Sequence, residues 1–120
     1  MARLVRRVTN KRAGNEIDLS ARAATLADRY RLPAPQSIKW VDNQTTRWGS
    51  CSPATGTIRL SRVLSTFPGW VLDYVIVHEL AHLEVHGHGP AFWQIVSRYP
   101  LTERARGFLI AKGLEQAETD

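Results

Sequence analysis

Disulfide partners, long apolar runs and N-terminal acids are all missing from this 120-residue sequence. Cys51 is the single cysteine, so no intrachain disulfide can form. No stretch reaches the about 18 apolar residues that a membrane-spanning helix needs. The most apolar segment, Trp70 to Val77, is broken by Asp73 and runs into His78. The opening MARLVRRVTNKR carries positive charge with no apolar segment behind it, so no secretory signal is expected. Together these absences point to a reducing, cytoplasmic setting. The first twelve residues contain no acid, only Arg3, Arg6, Arg7, Lys11 and Arg12 as charged groups. The remaining 108 residues hold 11 basic and 11 acidic side chains, so the net charge of +5 belongs to this arm alone. With 43% apolar and 22% charged residues, the composition is that of one globular domain.

The expected organisation is a basic arm over residues 1–15 and one domain over residues 16–120. A first helix, capped by Asp18 or Asn15, carries Leu19, Ala23, Leu26, Ala27 and Tyr30 on one stripe and stops before Pro33 and Pro35. Three short strands follow: Ile38–Val41, a segment within Thr45–Cys51 and Thr57–Leu60, read as an antiparallel meander. Gly49 marks a bulge or a close approach. Ser61 caps a short helix to about Ser65. Pro68 opens a long helix that is apolar nearly all round, which places it centrally, with Gly87 as its stop. Pro90 begins another helix with Phe92, Trp93 and Val96 inward. Thr102 caps the last, where Ala105, Phe108 and Leu109 pack.

All four histidines, His78, His82, His86 and His88, fall within eleven residues. His78-Glu79-Leu80-Ala81-His82 is an H-E-x-x-H pattern on the long helix. Residues four apart on a helix lie one above the other, so two imidazoles can share one metal ion. Glu79 is turned about 100° from His78, where it can accept a proton without being a ligand. A buried helix does not carry two histidines and a carboxylate without partners for them. A catalytic zinc site needs a third protein ligand. His86 would lie about 12 Å along the axis from His78 on a straight helix, too far for one ion. A reversal at Gly87 favours His88, leaving His86 as a helix-end cation.

His78-Glu79-Leu80-Ala81-His82-Leu83, then His88 and Pro90-Ala91-Phe92-Trp93, resemble the signature of the YgjP-like metallopeptidases, which are related to the SprT-type small zincins. Arg47-Trp48-Gly49-Ser50-Cys51-Ser52, the Gly56-x-Ile58-x-Leu60 strand, Pro68 and Asp73-Tyr74-Val75-Ile76-Val77 match in order, over about residues 36–100. The resemblance implies an α+β, zincin-like minimal metallopeptidase domain, with a short antiparallel three-stranded sheet against a central HExxH helix. It implies one Zn2+ per chain held by His78, His82 and His88, with Glu79 as catalytic base. The activity it implies is hydrolysis of peptide bonds in a protein or peptide substrate by a zinc-activated water. The family's Asn-His-Ser run is here Gly87-His88-Gly89.

Two other functions compete. The arm offers weak, nonspecific contact with nucleic acid through residues 1–12, as in a DNA-associated SprT-like protein, but it has no aromatic for base stacking. An inactive metal-binding module would have no use for Glu79. Trp48, Gly49 and Ser50 offer an edge for an extended peptide, or simply sheet around a buried tryptophan. Cys51 reads as a small buried residue rather than a fourth ligand. Tyr74, Tyr99, Arg47 and His86 each offer a group for the oxyanion, and the sequence does not choose among them.

Overall fold

Asp18 caps helix α1, Leu19–Tyr30, its carboxylate accepting from the Ala21 amide at 3.0 Å. The computed structural model describes residues 17–42 and 47–114. The expected arm therefore lies outside the described residues. Leu19, Ala23, Leu26 and Ala27 form the buried face of α1. The helix closes at Arg31, which takes a left-handed conformation (φ 59°) while the Leu32 amide returns to the Ala27 carbonyl. Pro33 and Pro35 then keep the chain extended towards the sheet.

The sheet has three strands: β1, Ser37–Val41; β2, Gly49–Ser52; and β3, Thr57–Ser61. Its order is β1-β3-β2. Strand β2 pairs antiparallel with β3, with Cys51 opposite Ile58, but β1 pairs parallel with β3, with Ile38 opposite Ile58. The expected antiparallel meander is thus corrected to a mixed sheet. The reason is burial. Ile58 and Leu60 of β3 are both wholly inaccessible to water, while β1 exposes Ser37 and Lys39. The most deeply buried strand takes the centre, and the more exposed β1 takes an edge. The second strand runs one residue past the expected segment, to Ser52; Thr45 and Thr46 fall outside the described residues.

Ser61 ends β3 and caps a 3-10 helix, Arg62–Thr66, its hydroxyl accepting from the Val63 amide. Pro68 then opens helix α2, Gly69–His82, as expected. From Val71 to His82 every residue except Asp73 is buried. The helix packs on β2 and is flanked by α1 and the two later helices, α3 (Pro90–Val96) and α4 (Thr102–Ala111). An ion pair between Arg22 and Asp73 ties α1 to α2 where the latter's one half-buried acid emerges. No helix among the described residues is long and apolar enough to cross a membrane.

Two local expectations change. Helix α2 stops at His82, five residues before Gly87, although Gly87 does adopt a positive φ of 76°. Its last turn tightens as the Leu83 and Glu84 amides return to the Leu80 and Ala81 carbonyls. Thr102 does not cap α4. It is the first helical residue, and its hydroxyl is directed backwards at the carbonyls of Tyr99 (2.8 Å) and Val96 (3.0 Å). The hydroxyl thereby joins α3 to α4 in a buried setting where those carbonyls have no water.

Candidate metal centre

Helix α2 places His78 and His82 on one face, and the segment after it brings His88 against them. One nitrogen from each of the three imidazoles lies within 4.8 Å of the others. His82 Nε2 and His88 Nε2 are 3.2 Å apart. Two bonds of about 2.0–2.1 Å meeting at a tetrahedral angle would put their nitrogens about 3.3 Å apart, so the observed spacing suits a shared ion. His78 is fully buried and its Nε2 has no hydrogen-bond partner. An orphaned, dry imidazole nitrogen is costly unless something occupies its lone pair.

The other ring nitrogens support this arrangement. His82 Nδ1 lies 3.2 Å from the Val85 carbonyl oxygen, which can only accept. Nδ1 of His82 therefore carries the ring proton, and Nε2 presents a lone pair. His78 Nδ1 lies 3.2 Å from the Tyr74 hydroxyl. The early end of α2 is part of the same construction. Only a chain that leaves the helix after His82 can fold the Val85 carbonyl back onto the His82 ring.

Phe92, the third residue of α3, packs against all three imidazoles. It stacks on His82 at 4.3 Å and meets His78 and His88 edge-on at 4.9 and 5.0 Å. Pro90 at the start of α3, one residue after Gly89, fixes where the helix begins and hence where Phe92 falls. Expected only as core, Phe92 is the surface on which the three rings are set. Trp93 is half-buried rather than inward, with the Arg106 guanidinium 4.3 Å over its ring.

Glu79 is fully buried on the neighbouring face of α2. Its carboxylate lies beside β2: a Cβ placed on Gly49 would come within 3.4 Å of Oε2 and 3.0 Å of the Arg59 carbonyl. Gly49 is thus a close approach, not a bulge. The absence of a side chain there makes room for the carboxylate. Glu79 is not one of the three converging groups.

The structure separates the remaining candidates. His86 is exposed and outside the cluster. Cys51 is buried on β2 and also outside it. Tyr99 donates its hydroxyl to the Trp70 carbonyl at 2.7 Å. Tyr74 is fully buried on the Nδ1 side of His78, away from Nε2. Neither tyrosine therefore suits the oxyanion. Trp48 is buried edge-on against Tyr74 and His78, which favours the sheet-core reading of that residue. The Tyr74 contact was missed in sequence, although Tyr74 stands four residues before His78, the spacing at which helical side chains meet.

The chain matches the family model of the YgjP-like metallopeptidase domain over residues 1–109. It belongs to the YgjP-like metallopeptidase family. The match extends well beyond the motif-bearing residues 36–100. Among solved structures, the chain is similar to the metallopeptidase zymogen abylysin of Pyrococcus abyssi, with a TM-score of 0.69 and 23% identity, over 85% of this chain and 100% of that one. It is also similar to the metallopeptidase zymogen jannalysin of Methanocaldococcus jannaschii, with a TM-score of 0.61 and 21% identity, over 80% of this chain and 93% of that one. These two likenesses concern the fold. No curated protein matches the chain. A YgjP-like metallopeptidase needs a metal, and the His78, His82 and His88 cluster is the group among the described residues able to hold one.

Burial also sets the charge state of the cluster. It pushes the His78 pKa well below its ordinary 6.5, with the neighbouring His82 and His88 adding to the effect. Burial lowers His82 to about 4, the Val85 carbonyl opposing and His88 reinforcing the shift. Both rings are neutral at pH 7, the form that ligates metal. Each takes up its proton more readily in the unfolded chain than in the folded one. Their contribution to stability is therefore complete above about pH 6.5 and is lost as pH falls towards 4. Chelator-treated protein should show a lower urea midpoint at pH 5.0 than at pH 7.5, a window above the ordinary range of carboxylates. Equal midpoints would mean that the imidazoles are not held neutral by burial.

Proposed function

We propose that this metallopeptidase is zinc-dependent and cleaves peptide bonds, with His78, His82 and His88 as the metal ligands and Glu79 as general base. The observation that carries this reading is the convergence of three imidazole nitrogens, two of them 3.2 Å apart and the third buried without a partner. Three imidazole nitrogens with no sulfur in the set suit zinc in a catalytic arrangement, where a fourth position stays open. Bound there, zinc supplies Lewis acidity towards the scissile carbonyl and makes a water easier to deprotonate.

The chain's own groups do the rest. His78 and His82 hold their positions through α2, and His88 through its place between Gly87 and Pro90. Glu79 takes a proton from the attacking water at its carboxylate and returns it to the leaving amine. Its burial between α2 and Gly49 limits the orientations it can adopt, so that little reorganisation precedes proton transfer. The substrate class is protein or peptide.

Two tests follow. The first is metal content after purification and dialysis. His88→Ala should lose most of the zinc, and His86→Ala should retain one per chain. Loss of zinc from His86→Ala alone would overturn the ligand assignment. The second concerns Glu79→Gln, which keeps the shape and removes the proton acceptor. It should fold and bind zinc but cleave unfolded-protein substrates about 10²–10⁴-fold more slowly than the parent. Cleavage undiminished in Glu79→Gln would exclude the general-base role. Zinc binding by a parent that cleaves none of a broad substrate panel would favour the binding-module reading.

A further inference from the structure

We propose that Tyr74 is a positioning residue for the metal, its hydroxyl oxygen accepting the Nδ1 proton of His78 and holding that imidazole with Nε2 open. The inference rests on the ligand reading above and extends it to a residue outside the ligand set.

The argument begins with burial. Tyr74 and His78 are both fully inaccessible to water. A phenol oxygen placed in a dry interior loses the water that would donate to it and is better placed beside a protein donor. The partner of the Tyr74 hydroxyl is His78 Nδ1, at 3.2 Å. A phenylalanine would fill the same position on α2 with no such requirement. The pairing also follows from helix geometry, since positions 74 and 78 are one turn apart and face the same way.

The direction of this hydrogen bond decides what the imidazole can do. A neutral imidazole has one ring proton. With the proton on Nε2, the tyrosine donates to Nδ1 and His78 has no lone pair for a metal. With the proton on Nδ1, the tyrosine oxygen accepts it and Nε2 is available. Metal ligation selects the second arrangement. Tyr74 then satisfies an Nδ1–H that has no water to turn to. His82 has the equivalent support from the Val85 carbonyl. The two helix ligands are thus steadied from behind by different groups, one a side chain on the same helix and one a backbone carbonyl beyond its end.

The neighbours hold the pair in place. Trp48 meets the Tyr74 ring at 5.7 Å and the His78 ring at 5.3 Å, both edge-on. Phe92 closes on His78 from α3. With Tyr74 and His78 both inaccessible to water, removal of the hydroxyl would leave Nδ1–H without water to replace it.

The test is the zinc dissociation constant, measured by competition with a chelating dye. Tyr74→Phe should bind zinc about 10–100-fold more weakly than the parent, the range found when outer partners of metal-bound histidines are removed. Tyr99→Phe is the control. It also deletes a largely buried tyrosine hydroxyl with a hydrogen bond, to the Trp70 carbonyl, but one that does not touch the imidazoles. Its zinc affinity should equal that of the parent even if its stability falls. Should Tyr74→Phe fail to fold, nitrogen-15 NMR of the histidine rings in the zinc-loaded parent decides the matter. There His78 should carry a slowly exchanging proton on Nδ1; a proton on its Nε2 overturns the proposal. Equal affinity of Tyr74→Phe and the parent overturns the role of Tyr74 alone. So does equal weakening in Tyr99→Phe. A parent that takes up no zinc overturns the ligand reading, and the role of Tyr74 with it.

Discussion

Two imidazoles and a carboxylate buried on a single helix are the constraint to which the rest of this protein answers. Each of His78, Glu79 and His82 would be costly in a dry interior by itself. Each is given particular surroundings by an element other than α2. Strand β2 brings Gly49 to the Glu79 carboxylate. The segment after α2 brings the Val85 carbonyl to Nδ1 of His82 and His88 to its Nε2. Helix α3 brings Phe92 under all three rings. Together these contacts bring one nitrogen from each of three imidazoles within 4.8 Å of the others, a grouping that could hold a metal ion.

The same constraint explains why a short chain carries such an apolar central helix. With nearly every side of α2 covered, its polar residues are held by packing as much as by hydrogen bonds. The stacked Phe92–His82 contact and the edge contacts of Trp48 fix ring orientations that flexible side chains on a surface would not keep. Strand β3 serves this end indirectly. By occupying the middle of the sheet with Ile58 and Leu60, it leaves β2 at the edge against α2, where Gly49 can approach Glu79.

Much of this was legible in the sequence because it is local. The four-residue spacing of His78 and His82, the prolines at 68 and 90, the Asp18 cap and the apolar stripes all act within one or two helical turns. Glu79 came with the same H-E-x-x-H pattern and His88 with the expected reversal at Gly87, and the family signature implied the same residues. Strand order was not legible, because pairing β1 with β3 depends on relative burial across the whole sheet rather than on any turn between neighbours. The end of α2 was misplaced because Gly87 looked like the stop, whereas the helix ends where the His82 ring takes the Val85 carbonyl. Thr102 has the composition of a cap, yet its hydroxyl serves the preceding segment. Tyr74 is read in the sequence only as an oxyanion candidate, since a tyrosine at helical spacing from a histidine does not reveal which ring nitrogen its hydroxyl will meet.

The most direct measurement is a crystal structure of the zinc-loaded protein with anomalous data collected at the zinc edge. The account predicts one zinc per chain bound to Nε2 of His78, His82 and His88 at about 2.0–2.1 Å, with a non-protein group completing the shell. Glu79 should lie beside that group without binding the ion. A zinc held elsewhere, or one with the Glu79 carboxylate or the Cys51 sulfur among its ligands, would contradict it.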